Sequence, residues 1–267
     1  MHERNWQYLT LTRKDRVLTV SFDSKTKVNS LNNALLRELT ALAIELQQDC
    51  ELSAIILKGR SDIFSGGMDL ADPELKQADL MSLTQKRQLA RLGPAMCNAW
   101  EALEPVTIVA IEGWCIGGGM ALACACDWRV VSSDASLYVP ELKLGMNMSW
   151  QSVPRFNSLI GPARTKRLLI LTEPLDAQTA EHWGLVDYVV PSGETLKKSL
   201  ELAAAVAAQP PLPVRMIKRA ITDAASTTHY SSSSMDADQF LLTQQSSDAQ
   251  EGLTAFFEKR EAKFTGD

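Results

Sequence analysis

Two glycine-rich turns and one glutamate are the parts of this sequence best suited to chemistry. The first turn is Phe64-Ser65-Gly66-Gly67-Met68-Asp69-Leu70; the second, Gly117-Gly118-Gly119, opens the apolar run Ile116 to Cys126. Glycine allows another group close to the backbone, and the first N–H groups of a helix have no partner inside it. The positive end of the helix dipole adds to this, so such a turn can hold an oxyanion or a phosphate. One N–H from each turn, converging on a carbonyl oxygen, would stabilise negative charge developing there. The plainer readings are a connecting loop for the first turn and close helix packing for the second. Glu141 follows a proline at a strand end, in Leu137-Tyr138-Val139-Pro140-Glu141. A glutamate there can simply favour a first helical turn. Beside apolar neighbours and a glycine turn, its carboxyl would instead be desolvated and raised toward the range of a useful base.

These residues need strands and helices to carry them. Tyr8 to Thr12 and Val17 to Phe22 alternate around Arg13-Lys14-Asp15-Arg16, which predicts a hairpin. Asn33 to Gln48 carries leucines at helical spacing, and Ala54 to Leu57 is a short apolar strand. Met81 to Leu103 reads as a helix in spite of Gly93-Pro94, Val106 to Ile111 as a strand, and Ile116 to Cys126 as a helix behind glycines. Strands at Trp128 to Ser133, Leu137 to Val139 and Val186 to Val190 alternate with helices at Pro162 to Leu171, Asp176 to Trp183 and Glu194 to Ala207. Alternation of this kind predicts an α/β protein. After Pro210-Pro211 only helical patterns remain, broken near Ser226 to Ser234, so a helical appendage is expected over 209–267 behind a core over 1–208.

Composition narrows the functions. The 267 residues are 45% hydrophobic and carry a net charge of -5, which suits a globular protein rather than a nucleic-acid or anionic-membrane surface. The N terminus lacks a basic segment followed by an apolar one, and the longest apolar run is far too short for a membrane span, so a cytoplasmic protein is expected. Cys50, Cys97, Cys115, Cys124 and Cys126 lack paired spacing and read as buried free thiols. With His2, His182 and His229 the only histidines, no metal centre is expected.

The order FSGGMDL, AIEGWCIGGGMALACACD, LYVPELKLG and LTEPLDAQTAEHWGLVDYVVP, with KVNSL before it and EGLTAFFEKR near the end, resembles the crotonase superfamily, the enoyl-CoA hydratase/isomerase family. The resemblance runs from about Tyr8 to Phe264. It implies a crotonase-like spiral of ββα units with a C-terminal helical region that mediates trimers, commonly stacked as hexamers. It also implies an acyl-CoA thioester as substrate, with no cofactor beyond the coenzyme A that the substrate carries.

On this resemblance the backbone N–H groups of Met68 and Gly118 are the oxyanion donors. The family's two carboxylate positions fall on Glu141 and on Ala121, and an alanine methyl cannot move a proton. A lone Glu141 suits a Δ3,Δ2-enoyl-CoA isomerase, taking a proton from C2 and returning it at C4. The alternatives are an enoyl-CoA hydratase, a feruloyl-CoA-type hydratase-lyase, whose turn looks like Trp114 to Gly119, and a non-catalytic acyl-CoA-binding protein. Serine hydrolysis ranks last. By the same resemblance coenzyme A lies along the Lys27-Val28-Asn29 backbone and the Gly66 to Met68 loop, and Phe256 and Lys259 resemble residues that reach the nucleotide of a neighbouring subunit.

Ala121, Met148 and Trp150 are assigned to the acyl pocket, with the bulk of Met and Trp expected to narrow it. His229 and Tyr230 lie on a serine-rich segment expected to face solvent, although either could reach the acyl tunnel. Asp69 and Asp127 are expected to cap or turn the chain.

Overall fold

A computed structural model describes residues 5–77 and 80–267, with the Tyr230 side chain also outside the described part. A six-stranded sheet has the order β1 (Leu9–Lys14), β2 (Val17–Phe22), β3 (Ala54–Lys58), β4 (Val106–Ile111), β6 (Trp128–Ser132) and β9 (Tyr188–Val190). Only β1 and β2 are antiparallel, as expected of a hairpin; every later pair is parallel and reached through a helical crossover. Strand β3 is buried along nearly its whole length because both faces are covered. Ile55 and Leu57 join Val109, Ile111 and Val131 in the larger core, whereas Ala54 and Ile56 join Ile108, Ala110 and Val130 beneath Ala203 and Val206 of helix α8 (Thr195–Ala207).

Helix α1 (Asn33–Leu46) starts where the Asn32 side chain accepts from Leu35 N, and it buries Leu35, Leu36, Leu39, Leu42 and Leu46 in the larger core. Truncating one such leucine to alanine costs about 2–5 kcal/mol. The long helix expected from Met81 to Leu103 is divided at Arg91 into α3 (Leu83–Ala90) and α4 (Leu92–Glu101), preceded by the short α2 (Pro73–Lys76). Pro94 lies in the first turn of α4, where its missing N–H does no harm. On the larger core side, α5 (Gly118–Cys124) is buried throughout. Its C-terminal end is fixed by Arg129, which donates to the carbonyls of Cys126 (2.8 Å) and Leu185 (2.9 Å) and pairs with Asp187.

A second, smaller sheet holds β5 (Trp114–Ile116), β7 (Ser136–Tyr138) and β8 (Leu175–Asp176). Single bridges, Ser65 to Cys115 and Leu31 to Met68, continue it toward the loop before α1. Each turn of the chain thus lays one strand in the main sheet and one short extended segment beside it. Helix α6 runs over Ser152–Lys166, with a kink at Gly161 (φ 73°) ahead of Pro162, and continues as a π turn over Arg167–Leu171; α7 (Ala177–Trp183) follows β8.

The C-terminal helices are α9 (Pro211–Ser226), α10 (His229–Ser233), α11 (Asp236–Gln244) and α12 (Ser247–Glu258). Contacts tie α11 to α3 and α12 to the 3-10 turn Glu141–Leu144, so this region reaches back onto the core. Four cysteines are buried, but Cys50 is exposed, contrary to expectation, because it stands on the turn after α1 rather than inside an element. Among the described residues no helix is long and apolar enough to cross a membrane.

Candidate active site

The two glycine turns are brought side by side by the small bridges. Ser65 N donates to Trp114 O (2.9 Å) and Ile116 N to Ser65 O (2.9 Å). On the other edge Gly66 N donates to Val28 O (2.7 Å), Leu31 N to Gly67 O (2.7 Å) and Asp69 N to Leu31 O (3.0 Å). Backbone groups alternate sides along an extended segment, so the Met68 N–H points away from Leu31 and toward the second turn. Neither it nor the Gly118 N–H donates a hydrogen bond among the described residues. Gly118 is the first residue of α5, where a free N–H is inherent in the helix. The turns nearly touch: a β-carbon on Gly67 (φ 88°) would lie 2.9 Å from Ile116 O and 3.6 Å from Gly118 N.

Asn29 sets this spacing. It is fully buried and left-handed (φ 49°); its amide accepts from Ser24 N (2.9 Å) and donates to Phe64 O (2.8 Å). Sequence reading placed the Asn29 backbone along coenzyme A; its side chain braces the first glycine turn. Nearby, Arg60 donates to the carbonyls of Thr26 (2.7 Å) and Lys27 (2.9 Å), a role with no motif to announce it.

Glu141 opens a 3-10 turn that ends at Gly145, whose left-handed φ of 71° lets Met146 N return to Glu141 O (3.1 Å). The carboxyl rests on the α-carbon of Gly117, where any β-carbon would strike Oε1. Oε2 is buried without a hydrogen-bond partner among the described residues. Burial is the leading cause that pushes the group from 4.5 up to about 7, with its own backbone acting weakly the other way. The result is a base that is half-ionised near neutral pH and faces the turn bearing the Gly118 N–H.

A cavity of about 860 Å3 joins these groups. Val28, Gly66, Met68, Gly118, Glu141, Met148, Trp150 and Phe256 line it; Lys27, Asn29, Ala121 and Lys259 do not. Ala121 is wholly buried in α5, one turn after Gly117, and Lys259 ends α12 in a left-handed cap with its side chain exposed. Lys86, Tyr138, Lys143 and Arg260 also line the cavity; Lys86 lies outside every motif, and the other three lie within motifs that assign them no role. His229 is half-buried and pairs with Ser158 (2.9 Å) rather than lining the cavity, while the Tyr230 side chain lies outside the described residues. Asp69 turns the chain by accepting from Ala71 N (3.0 Å), and Asp127 holds Thr107 N (2.7 Å) and Lys218 (2.6 Å).

A family model described as "Enoyl-CoA hydratase/isomerase" matches residues 12–267. The chain belongs to the enoyl-CoA hydratase/isomerase family. Among its relatives, a crotonyl-CoA hydratase of Syntrophomonas wolfei is 30% identical over 260 residues, covering 97% of this chain and 98% of the relative. A mitochondrial Delta(3,5)-Delta(2,4)-dienoyl-CoA isomerase of Dictyostelium discoideum is 28% identical over 271 residues, covering 97% and 92%. A solved enoyl-CoA hydratase/isomerase from Pseudoalteromonas atlantica superposes with a TM-score of 0.84 over 97% of this chain and 100% of that one; at 24% identity it speaks for the fold. The crotonase fold expected from the sequence is therefore the fold of this hydratase/isomerase family member, C-terminal helices included.

Proposed function

We propose that this enzyme stabilises a thioester enolate between the Met68 and Gly118 N–H groups, and that Glu141 shuttles a proton to make it a Δ3,Δ2-enoyl-CoA isomerase. The observation that carries the reading is Glu141 itself: a buried carboxyl with one unpartnered oxygen, resting on the glycine that precedes Gly118. Glu141 takes a proton from C2 of a 3-enoyl-CoA, and the electron pair moves onto the thioester oxygen as a dienolate held by the two N–H groups. The same proton then returns at C4, giving the 2-enoyl-CoA. A pKa near 7 suits both steps, since the group must be base first and acid second. Glu261, the other carboxylate lining the cavity, sits on the exposed tail and does not share this burial. The alanine at 121 supplies no second acid to position water.

Coenzyme A, as part of the substrate, is proposed to run past Val28 and Gly66 toward Phe256, with Lys143 and Arg260 as the cations of that wall. Assembly as a trimer, or a hexamer of two trimers, belongs to the same proposal.

Hydration is the second reading, supported by the crotonyl-CoA hydratase among the relatives. Purified protein incubated with 3-enoyl-CoA and 2-enoyl-CoA in deuterated water, followed by mass spectrometry, separates the two. Isomerisation with no gain of water is the expected result, label entering only where the Glu141 proton exchanges with solvent between the two steps; a 3-hydroxyacyl-CoA product overturns it in favour of hydration. Binding of both esters without turnover or exchange would leave an acyl-CoA-binding protein.

A further inference from the structure

Trp150 is held in a conformation that a bulky residue rarely takes. It and Gln151 are consecutive left-handed residues, with φ of 61° and 53°. Such a conformation costs about 1–2 kcal/mol per residue and persists only where surrounding contacts impose it.

The contacts are a buried polar brace. Asp236, at the start of α11, accepts from Gln151 N (2.5 Å) and from Ser149 Oγ (3.2 Å). Arg155 on α6 donates to the carbonyls of Trp150 (3.1 Å) and Gln151 (3.0 Å). Its other nitrogens are fixed to α4 through Glu101 (2.9 and 2.8 Å) and Asn98 (2.8 Å). Three helices therefore combine to aim one side chain.

The indole lands on two glycines. A β-carbon on Gly118 would lie 2.5 Å from its Cη2 and 2.6 Å from its Cζ3, and one on Gly93 would collide with the ring outright. Trp150 thus stands against the residue whose N–H is the proposed thioester donor, and it lines the cavity. The indole N–H makes no hydrogen bond among the described residues, so the ring is not placed there to satisfy a polar partner.

We propose that Trp150 is the acyl-chain stop of this site, braced by Asp236 and Arg155, and that it restricts the enzyme to short acyl groups. This rests on the enolate reading only for the position of the thioester. An acyl chain whose carbonyl sits at Gly118 meets the indole within its first few carbons, and a long chain has to displace it.

The test measures binding of saturated acyl-CoA esters, which cannot react, so it stays informative if the proposed isomerisation fails. Butyryl-CoA and octanoyl-CoA are titrated by calorimetry into wild type, Trp150→Ala and Trp150→Leu. Wild type is expected to prefer the short ester. Each methylene given apolar surroundings is worth about threefold to fourfold in affinity, so Trp150→Ala should shift the octanoyl-to-butyryl ratio by about tenfold or more toward octanoyl. Trp150→Leu should fall between. Asp236→Asn, which weakens the brace and leaves the ring in place, should move the same ratio part of the way; an unchanged ratio makes Asp236 merely structural. Equal chain-length profiles in wild type, Trp150→Leu and Trp150→Ala would overturn the proposal, as would a wild-type preference for octanoyl-CoA.

Discussion

At the scale of residues, Glu141 stands where it lowers the stability of the fold. Its carboxyl titrates near 7 in the folded chain against an ordinary 4.5. Below 4.5 it is neutral in both folded and unfolded chains and costs nothing. Between 4.5 and about 7 the unfolded chain releases the proton while the folded one keeps it, so stability falls as pH rises. Above 7 the loss is complete, at about 3 kcal/mol. Glu141→Gln removes this titration. It should be more stable than wild type at pH 8, with the difference vanishing near pH 4, as read from denaturant midpoints across pH. The same variant should lose about a hundredfold or more in turnover. Identical pH dependence of unfolding in the two proteins would mean that the carboxyl is solvated. Gly117→Ala is the companion test. It puts a β-carbon onto Oε1 at a left-handed position (φ 48°) and should abolish turnover while leaving the core elements folded by circular dichroism.

At the scale of elements, what the sequence disclosed and what it hid divide by the range of the signal. Leu35 to Leu46 announce α1 because helical period is local, and Gly67 and Gly117 announce tight turns because φ near 90° or 50° demands glycine. Glu141 could be singled out beside Pro140, yet its burial comes from packing against Gly117, which no local pattern shows. The bracing role of the Asn29 side chain is hidden for the same reason: its neighbours Lys27 and Val28 sit at the surface, but its own amide reaches Phe64, 35 residues on. Lys86 on α3 and Arg260 on the tail line the cavity only because α11 and α12 fold back over it. Asn29→Ala should therefore act on the glycine turn rather than on coenzyme A directly. Loss of hydrogen bonds to Ser24 N and Phe64 O leaves buried groups unpaired, at about 1–3 kcal/mol. Thermal unfolding should show that loss together with a fall in kcat, as Met68 N–H drifts from Gly118. Unchanged stability with a raised KM alone would return Asn29 to ligand binding.

At the scale of the whole molecule, the surface beside Glu141 calls for a partner. Leu142 follows the catalytic candidate in the same 3-10 turn and is 45% exposed; Ile170 on the π turn and Leu242 on α11 are 59% and 71% exposed. Together with Lys143 and Thr172 they line one depression, which gathers three large apolar side chains at the surface. Further out, Phe257 at the end of α12 is 67% exposed. A second copy of this chain is the occupant that the proposed trimer supplies, and burying one such side chain is worth about 1.5–3 kcal/mol. The wild-type protein should sediment at the mass of a trimer or hexamer. The double variant Ile170→Asp/Leu242→Lys should sediment as a monomer, since two charges cannot be buried unpaired at modest cost. Because Leu142 and Glu141 share a turn of four residues, the freed monomer should also bind acyl-CoA more weakly and turn over more slowly. A wild-type protein that sediments as a monomer, or a double variant that keeps its assembly, would show that this face is not the interface.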